Sequence, residues 1–372
     1  MIQRGSTRAK LLVGLAAVAV FATACSSGGS SAAPSAAAPS AAAGGSVAPS
    51  AAAAGPYTLG ISNPGAVGNG WREAMICSAK AQAVKEGNIT QVSVLSEKTD
   101  AAGQLAQIRD LITKGVNILL INPANKDSLN PAIKEALDAG IAVVAIDAPV
   151  SAPGAYNLSN DQENYAYLGA KWLFEQLGGK GAVVYMRGIP GHPADTDRDK
   201  GFKRAMAEAP GITIAKETST NWDQKTGTDQ INEILSSGTP FDGVWTSGID
   251  NVIVDALVKG KHVVPVVGAD NSGFVKQLLT VPGLKGAAVT NPPAVGGAGV
   301  VLGEQLLAGQ KPASPDVHVT PELWDNTTDA GKAKLTAAQI PGLPDIWPLG
   351  LTVEGTTTYA AADVKTCKGP GE

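Results

Sequence analysis

The sequence predicts an α/β protein of two Rossmann-like lobes, each a parallel sheet covered by helices. Three observations lead there. Short β-rich runs recur along the chain, and most are continuously apolar, as strands buried on both faces of a parallel sheet must be. Amphipathic stretches separate them, giving βαβ units with right-handed crossovers. From Pro56 to Glu372 the chain also exceeds the length at which single cores split into domains.

Each element follows in order. Arg4, Arg8 and Lys10 precede the apolar run 11–21, and Ala22, Thr23, Ala24 and Cys25 follow it. A positive start, a short apolar core and small residues before a cleavage point make a secretory signal, and the run is too short to anchor as a transmembrane span. Residues 26–55 are nearly all Ser, Ala, Gly and Pro, with no charge and no aromatic. Such a stretch cannot bury enough apolar area to offset its ordering entropy, so it is expected to be a disordered tether. Strands are expected at 57–62, 92–95, 118–121, 142–146, 182–186, 212–215, 243–246, 263–267 and 286–290. Helices are expected at 104–114, 127–139, 163–177, 198–208, 224–235, 251–259 and 295–308; in the first of these Leu105, Ile108, Leu111 and Ile112 share a face.

Charge and cysteines narrow the function. The net charge is −4, and it becomes more negative once Arg4, Arg8 and Lys10 are removed, which argues against a nucleic-acid partner. With Cys25 at the cleavage point, Cys77 and Cys367 remain in an exported chain. They form either a disulfide tying the C-terminal tail to the first helix or two separate thiols; an oxidising compartment favours the bond.

No catalytic or metal-binding pattern is present. The three histidines, His192, His262 and His318, are far apart, and no zinc, P-loop or nucleophile-elbow motif occurs. Gly65, Gly68 and Gly70 follow the first strand, but the dinucleotide fingerprint is not completed. The reading is therefore a binding protein, not an enzyme, with no cofactor and no metal. Several apolar runs end in polar residues: Ser62, Asn122, Asp147, Arg187, Asp250, Asp270 and Asn291. In open α/β sheets ligands bind outside these strand ends, so two lobes can present facing polar edges across a cleft.

The run 118–123, the strand 143–147, the Arg198, Gly201 and Phe202 pattern, the segment 267–270 and the segment 288–291 stand in one order. In that order, over about 57–319 and behind a leader ending at Cys25, the chain resembles the type I sugar-binding proteins of bacterial ABC importers, near their ribose-binding group. Repressors sharing that fold begin with a DNA-binding helix-turn-helix, whereas this chain begins with a leader and tether. The resemblance implies the type I periplasmic binding protein fold, with three hinge crossings between lobes. It implies a signal peptide at 1–24, lipid on Cys25, a tether at 25–55, one lobe from 56–160 with 292–318, and a second from 161–291 with 319–350. The segment 351–372 is left as a tail tied to Cys77. By position, Ser62, Trp71, Asp147, Arg198, Trp222, Asp250, Asp270 and Asn291 are implied to contact the ligand. Their chemistry suits a sugar or polyol: Asp accepts, Arg donates in a planar fork, Asn does both, and indoles cover C–H faces. Trp71 and Trp222 also fit a place in the core, and Asp147 a helix cap. Three departures matter. Ala148, Ala269 and Gly70 stand where ribose binders carry an Arg and two aromatics, which removes one cation and two rings. The implied protein is a monomeric receptor on the outer face of the cell membrane, passing a monosaccharide or polyol to an ABC permease. A receptor for a small furanosyl signal and an extracytoplasmic hydrolase are the competing readings.

Overall fold

The computed structural model describes residues 55–65 and 68–372. The leader, Cys25 and nearly all of the tether lie outside the described residues. The chain runs β1 (Tyr57–Asn63), α1 (Gly70–Glu86), β2 (Ile89–Ser96), α2 (Ala101–Thr113), β3 (Ile118–Ile121), α3 (Asn130–Asp138), β4 (Ala142–Asp147) and β5 (Tyr156–Asn160). It continues through α4 (Gln162–Gln176), β6 (Lys180–Arg187), α5 (Pro193–Glu208), β7 (Gly211–Ser219), α6 (Gln224–Ser236), β8 (Gly243–Trp245), α7 (Asp250–Lys259), β9 (Val266–Ala269), α8 (Ser272–Thr280) and β10 (Gly286–Val289). The remainder is α9 (Val295–Leu307), β11 (Asp316–Val319), β12 (Leu323–Asp325), α10 (Asp329–Ala338) and α11 (Ala361–Thr366).

These strands form two six-stranded sheets, ordered β11-β5-β4-β3-β1-β2 and β12-β10-β9-β8-β6-β7. Every pairing is parallel except β10 with β12. The central strands are buried along their whole length, in keeping with their unbroken apolar runs. Each sheet has an apolar layer on both faces: Ile61, Leu120 and Ile146 with α9 on one side of the first, Leu119, Ile121 and Val143 on the other. The fold is the two-lobed α/β arrangement that the apolar runs and helical periodicity predict.

Three strands escape the sequence pattern: β5, β11 and β12, whose residues are short and largely polar. β11 and β12 are edge strands and β5 lies between β11 and β4, and in each a few mixed polar and apolar residues make no continuous apolar run. The strand expected at 263–267 begins only at Val266, because Pro265 has no N–H to give a ladder. The helix expected from residue 198 begins five residues earlier, with Pro193 in its first turn and His192 as its cap. Helices α8, α10 and α11 go beyond the expected set.

The chain passes between the sheets from β5 to α4, from β10 to α9 and from β11 to β12. These crossings bond one another: Asp161 N donates to Val319 O at 3.1 Å and Thr290 N to Glu322 O at 2.8 Å. A fourth passage follows α10. Leu349 N donates to Asp270 O in the second lobe, Ala294 N donates to Gly350 O, and Thr358 N reaches Gln82 Oε1 on α1 of the first. Cys77 and Cys367 are bonded, with Cα atoms 4.4 Å apart, so α11 is stapled to α1.

Candidate functional site

Asp147 ends β4 in a left-handed backbone conformation, φ +72°, which turns its side chain out of the strand's alternation. Oδ1 accepts from Gln162 Nε2 at 2.9 Å and Oδ2 from Asn122 Nδ2 at 3.3 Å. Burial raises its pKa, while Arg198, Arg72 and the Asn122 amide pull it back. Gln162, the first residue of α4, serves both sides of the cleft: its Oε1 accepts from Arg198 Nε at 2.7 Å. Asparagine 291 belongs to the same network. Its backbone oxygen accepts from Trp71 Nε1 at 2.7 Å, and with its carboxamide oxygen turned to the cations it stands 3.0 Å from Arg198 Nη2.

The guanidinium of Arg198 lies 4.2 Å from the centre of the Tyr165 ring and 5.6 Å from that of Trp222. Trp222 and its neighbour Asn221 both have positive φ, so a strained turn presents the indole. That indole rests on Gly188, where an added Cβ would come 2.1 Å from the ring; only glycine admits it. Its Nε1 donates to Ser247 Oγ at 3.3 Å, and His192 meets it edge-on at 5.0 Å. His192 Nδ1 accepts from Ala194 N, so the proton of the neutral ring sits on Nε2. Burial and the two nearby arginines push its pKa well below the usual range.

Arg72, on α1, is a cleft residue that the sequence reading did not include. It is buried, its guanidinium stands 6.0 Å from the Trp222 ring centre, and its charge acts on Asp147. Desolvation lowers its pKa, opposed by Asp147. The cation absent at Ala148 is therefore supplied by the helix next door, and the cleft does not lose a charge. The one clue in the sequence was an arginine directly after Trp71 at the opening of α1. Gln162, directly after the Asp161 cap at a crossing, was the corresponding clue for the network's centre.

Between the lobes lies a cleft. Trp71, Arg72, Asp147, Arg198, Trp222 and Asn291 line it, joined by Ile346 and Pro348 from the C-terminal segment. Three residues expected at the ligand, Ser62, Asp250 and Asp270, are not among those lining this cleft. Ser62 Oγ donates to Gln107 and accepts from Gln104 beneath the first sheet's edge. Asp250 takes hydrogen bonds from Gly248 N, Ala269 N and Asn271 Nδ2, and burial still raises its pKa to about 7. Asp270 accepts from Asn291 N through Oδ1, is fully buried, and has its pKa raised to about 6. Asp250 secures its loops with both oxygens, whereas Asp270 Oδ2 is buried without a hydrogen-bond partner. Among the described residues no cluster of His, Cys, Asp and Glu could hold a metal, and no helix is long and apolar enough to cross a membrane.

A family model described as a periplasmic binding protein domain matches residues 59–311. The chain is 26% identical over 239 residues to a xylitol-binding protein of Mycolicibacterium smegmatis, covering 63% of this chain and 68% of that one. It is 26% identical over 223 residues to the ribose import binding protein of Salmonella typhimurium, covering 59% and 75%. Among solved structures, an ABC transporter solute binding protein from Thermobispora bispora superposes with a TM-score of 0.71 at 25% identity, covering 83% of this chain and 94% of that one.

Proposed function

The chain belongs to the periplasmic binding protein domain family, and from that premise we propose that it is the solute receptor of a sugar-type ABC importer. In this reading it captures a monosaccharide or polyol between its lobes and hands it to a membrane permease. It is a binding protein, not an enzyme, as are the relatives it matches. One observation carries the ligand class. Asp147 from the first lobe and Arg198 from the second meet through Gln162, with indoles of Trp71 and Trp222 on the same cleft. A polyhydroxylated ring or chain offers hydroxyls to the carboxylate and guanidinium and C–H faces to the indoles. Because the contacts come from both lobes, ligand binding favours the closed state over the open one. The relatives named for xylitol and ribose bind such molecules, which supports the class without choosing within it. Signal reception and hydrolysis gain nothing from these relatives.

Capture is placed on the outer face of the membrane by lipid on Cys25. A Cys25→Ser chain expressed at full length should leave the membrane fraction; continued partition equal to the parent would remove the anchor. The ligand class is tested by a thermal-shift screen over pentoses, hexoses and polyols. A ligand at 100 times its dissociation constant adds about 2.7 kcal/mol of stability. A screen in which none of these compounds moves the transition would end the sugar reading.

A further inference from the structure

The C-terminal chain does more than trail away from the second lobe. Residues 345–349 are laid on the opening of α8: Ser272 N donates to Trp347 O at 2.8 Å and Gly273 N to Asp345 O at 2.9 Å. These are first-turn amides with no partner inside their own helix, so the segment caps the helix with its backbone. Asn271 and Pro348 add a bridge, and Leu349 N donates to Asp270 O. The same segment backs onto the first lobe. Trp347 Nε1 donates to Glu73 Oε2 at 3.2 Å, and Gly70 lies so close that an added Cβ would come 2.1 Å from Ile346 O.

Gly70 is where a second aromatic beside Trp71 is missing. The room that ring would take is occupied by the backbone of residue 346, and Ile346 and Pro348 face the cleft. Beyond them the chain is fixed to α1. Leu351 and Val364 are buried in a cluster with Ala74, Cys77 and Ala81, Thr358 and Gln82 exchange two hydrogen bonds, and Lys80 pairs with Glu372 at 2.8 Å. The bond from Cys77 to Cys367 closes that attachment.

We infer that residues 345–348 form a third wall of the cleft, with Ile346 and Pro348 covering an apolar face of the ligand in place of an aromatic ring, and that the Cys77–Cys367 bond holds this wall in register. A flat aromatic stacks on a sugar face, whereas branched and cyclic aliphatic groups tolerate a puckered or linear carbon chain. The wall therefore admits molecules whose C–H surface is not one flat face. This inference rests on the cleft being a sugar or polyol site.

The test uses the full mature chain and three probes, xylitol, D-ribose and myo-inositol, titrated by calorimetry. Ile346→Ala should weaken the tightest of the three at least fivefold, and Cys367→Ser at least threefold. Val263→Ser, on an exposed position of the second lobe, should match the parent. Equal affinity of parent, Ile346→Ala and Cys367→Ser overturns the wall. A second readout needs no ligand. Hydrogen exchange at the Ser272 and Gly273 amides should accelerate at least tenfold in Cys367→Ser, since only the segment's carbonyls protect them. Should the parent bind none of the three probes, the best compound of the thermal-shift screen replaces them, and a negative screen ends the sugar reading; exchange then judges whether the bond holds the segment, and unchanged protection overturns that part.

Discussion

The two lobes present aspartates at equivalent strand ends and use them in opposite ways. In the first lobe Asp147 accepts only side-chain amides, from Asn122 and Gln162, and keeps an edge on the cleft. In the second, Asp250 accepts from the backbone N–H groups of Gly248 and Ala269, Asp270 accepts from that of Asn291 through Oδ1 with its Oδ2 unpartnered, and both lie fully buried. The cleft face of the second lobe is instead made by Arg198 and Trp222, which come from a helix and a strained turn. A carboxylate at a strand end thus marks the edge of the site, while the local turn decides whether it meets ligand or secures a loop.

Substitutions can break this contrast. Asp250→Ala strands two backbone N–H groups and the Asn271 amide in a buried place, and we expect a loss of about 4 kcal/mol in urea unfolding. Were Asp250→Ala to keep parental stability but lose ligand, the assignment of Asp250 to the scaffold would be wrong. Asp147→Ala should do the reverse. Losing one side of a charged hydrogen-bonded contact costs about 3 kcal/mol of binding, a hundredfold or more in affinity, with little change in the unfolding midpoint. Calorimetry with the best compound of the screen reads it. Arg72→Ala should cost about 1.5 kcal/mol, near tenfold, because it removes the cation that faces Asp147 from α1. Parental affinity in that variant would return the cleft to a single working guanidinium.

The smallest expected effect is on pH dependence. Burial raises the Asp270 carboxyl from 3.8 to about 6. Between those values the unfolded chain has released a proton that the folded chain still holds, so stability falls as pH rises through that window. Asp270→Asn should lessen the fall, measured as urea midpoints at pH 4, 5 and 6, with the remainder carried by Asp250, whose carboxyl is raised to about 7. A parent whose midpoint is constant over that interval would contradict the burial effect.

Much of the architecture was legible because central parallel strands must be apolar on both faces, and β1, β3, β4, β6, β9 and β10 all announce themselves that way. The edge strands β11 and β12, and β5 next to β11, do not, since each is short and mixes polar with apolar residues. At the site, Trp71, Asp147, Arg198, Trp222 and Asn291 were readable from strand ends and motif order, and they do come together. Ser62, Asp250 and Asp270 were readable only as polar strand ends, a pattern that does not encode which way a side chain turns.

Sequence by itself determined the alternation of elements, the two-lobe division and the types of side chain available at the cleft, because these follow from hydrophobic periodicity and residue chemistry along the chain. Tertiary structure decided the rest. It set Arg72 where Ala148 leaves a charge missing and made Gln162 the link between Asp147 and Arg198. It also brought Ile346 across Gly70, over contacts more than 200 residues apart in the chain. Such placements depend on distances between segments that no local pattern records, since they are fixed only when both lobes and the C-terminal segment pack together.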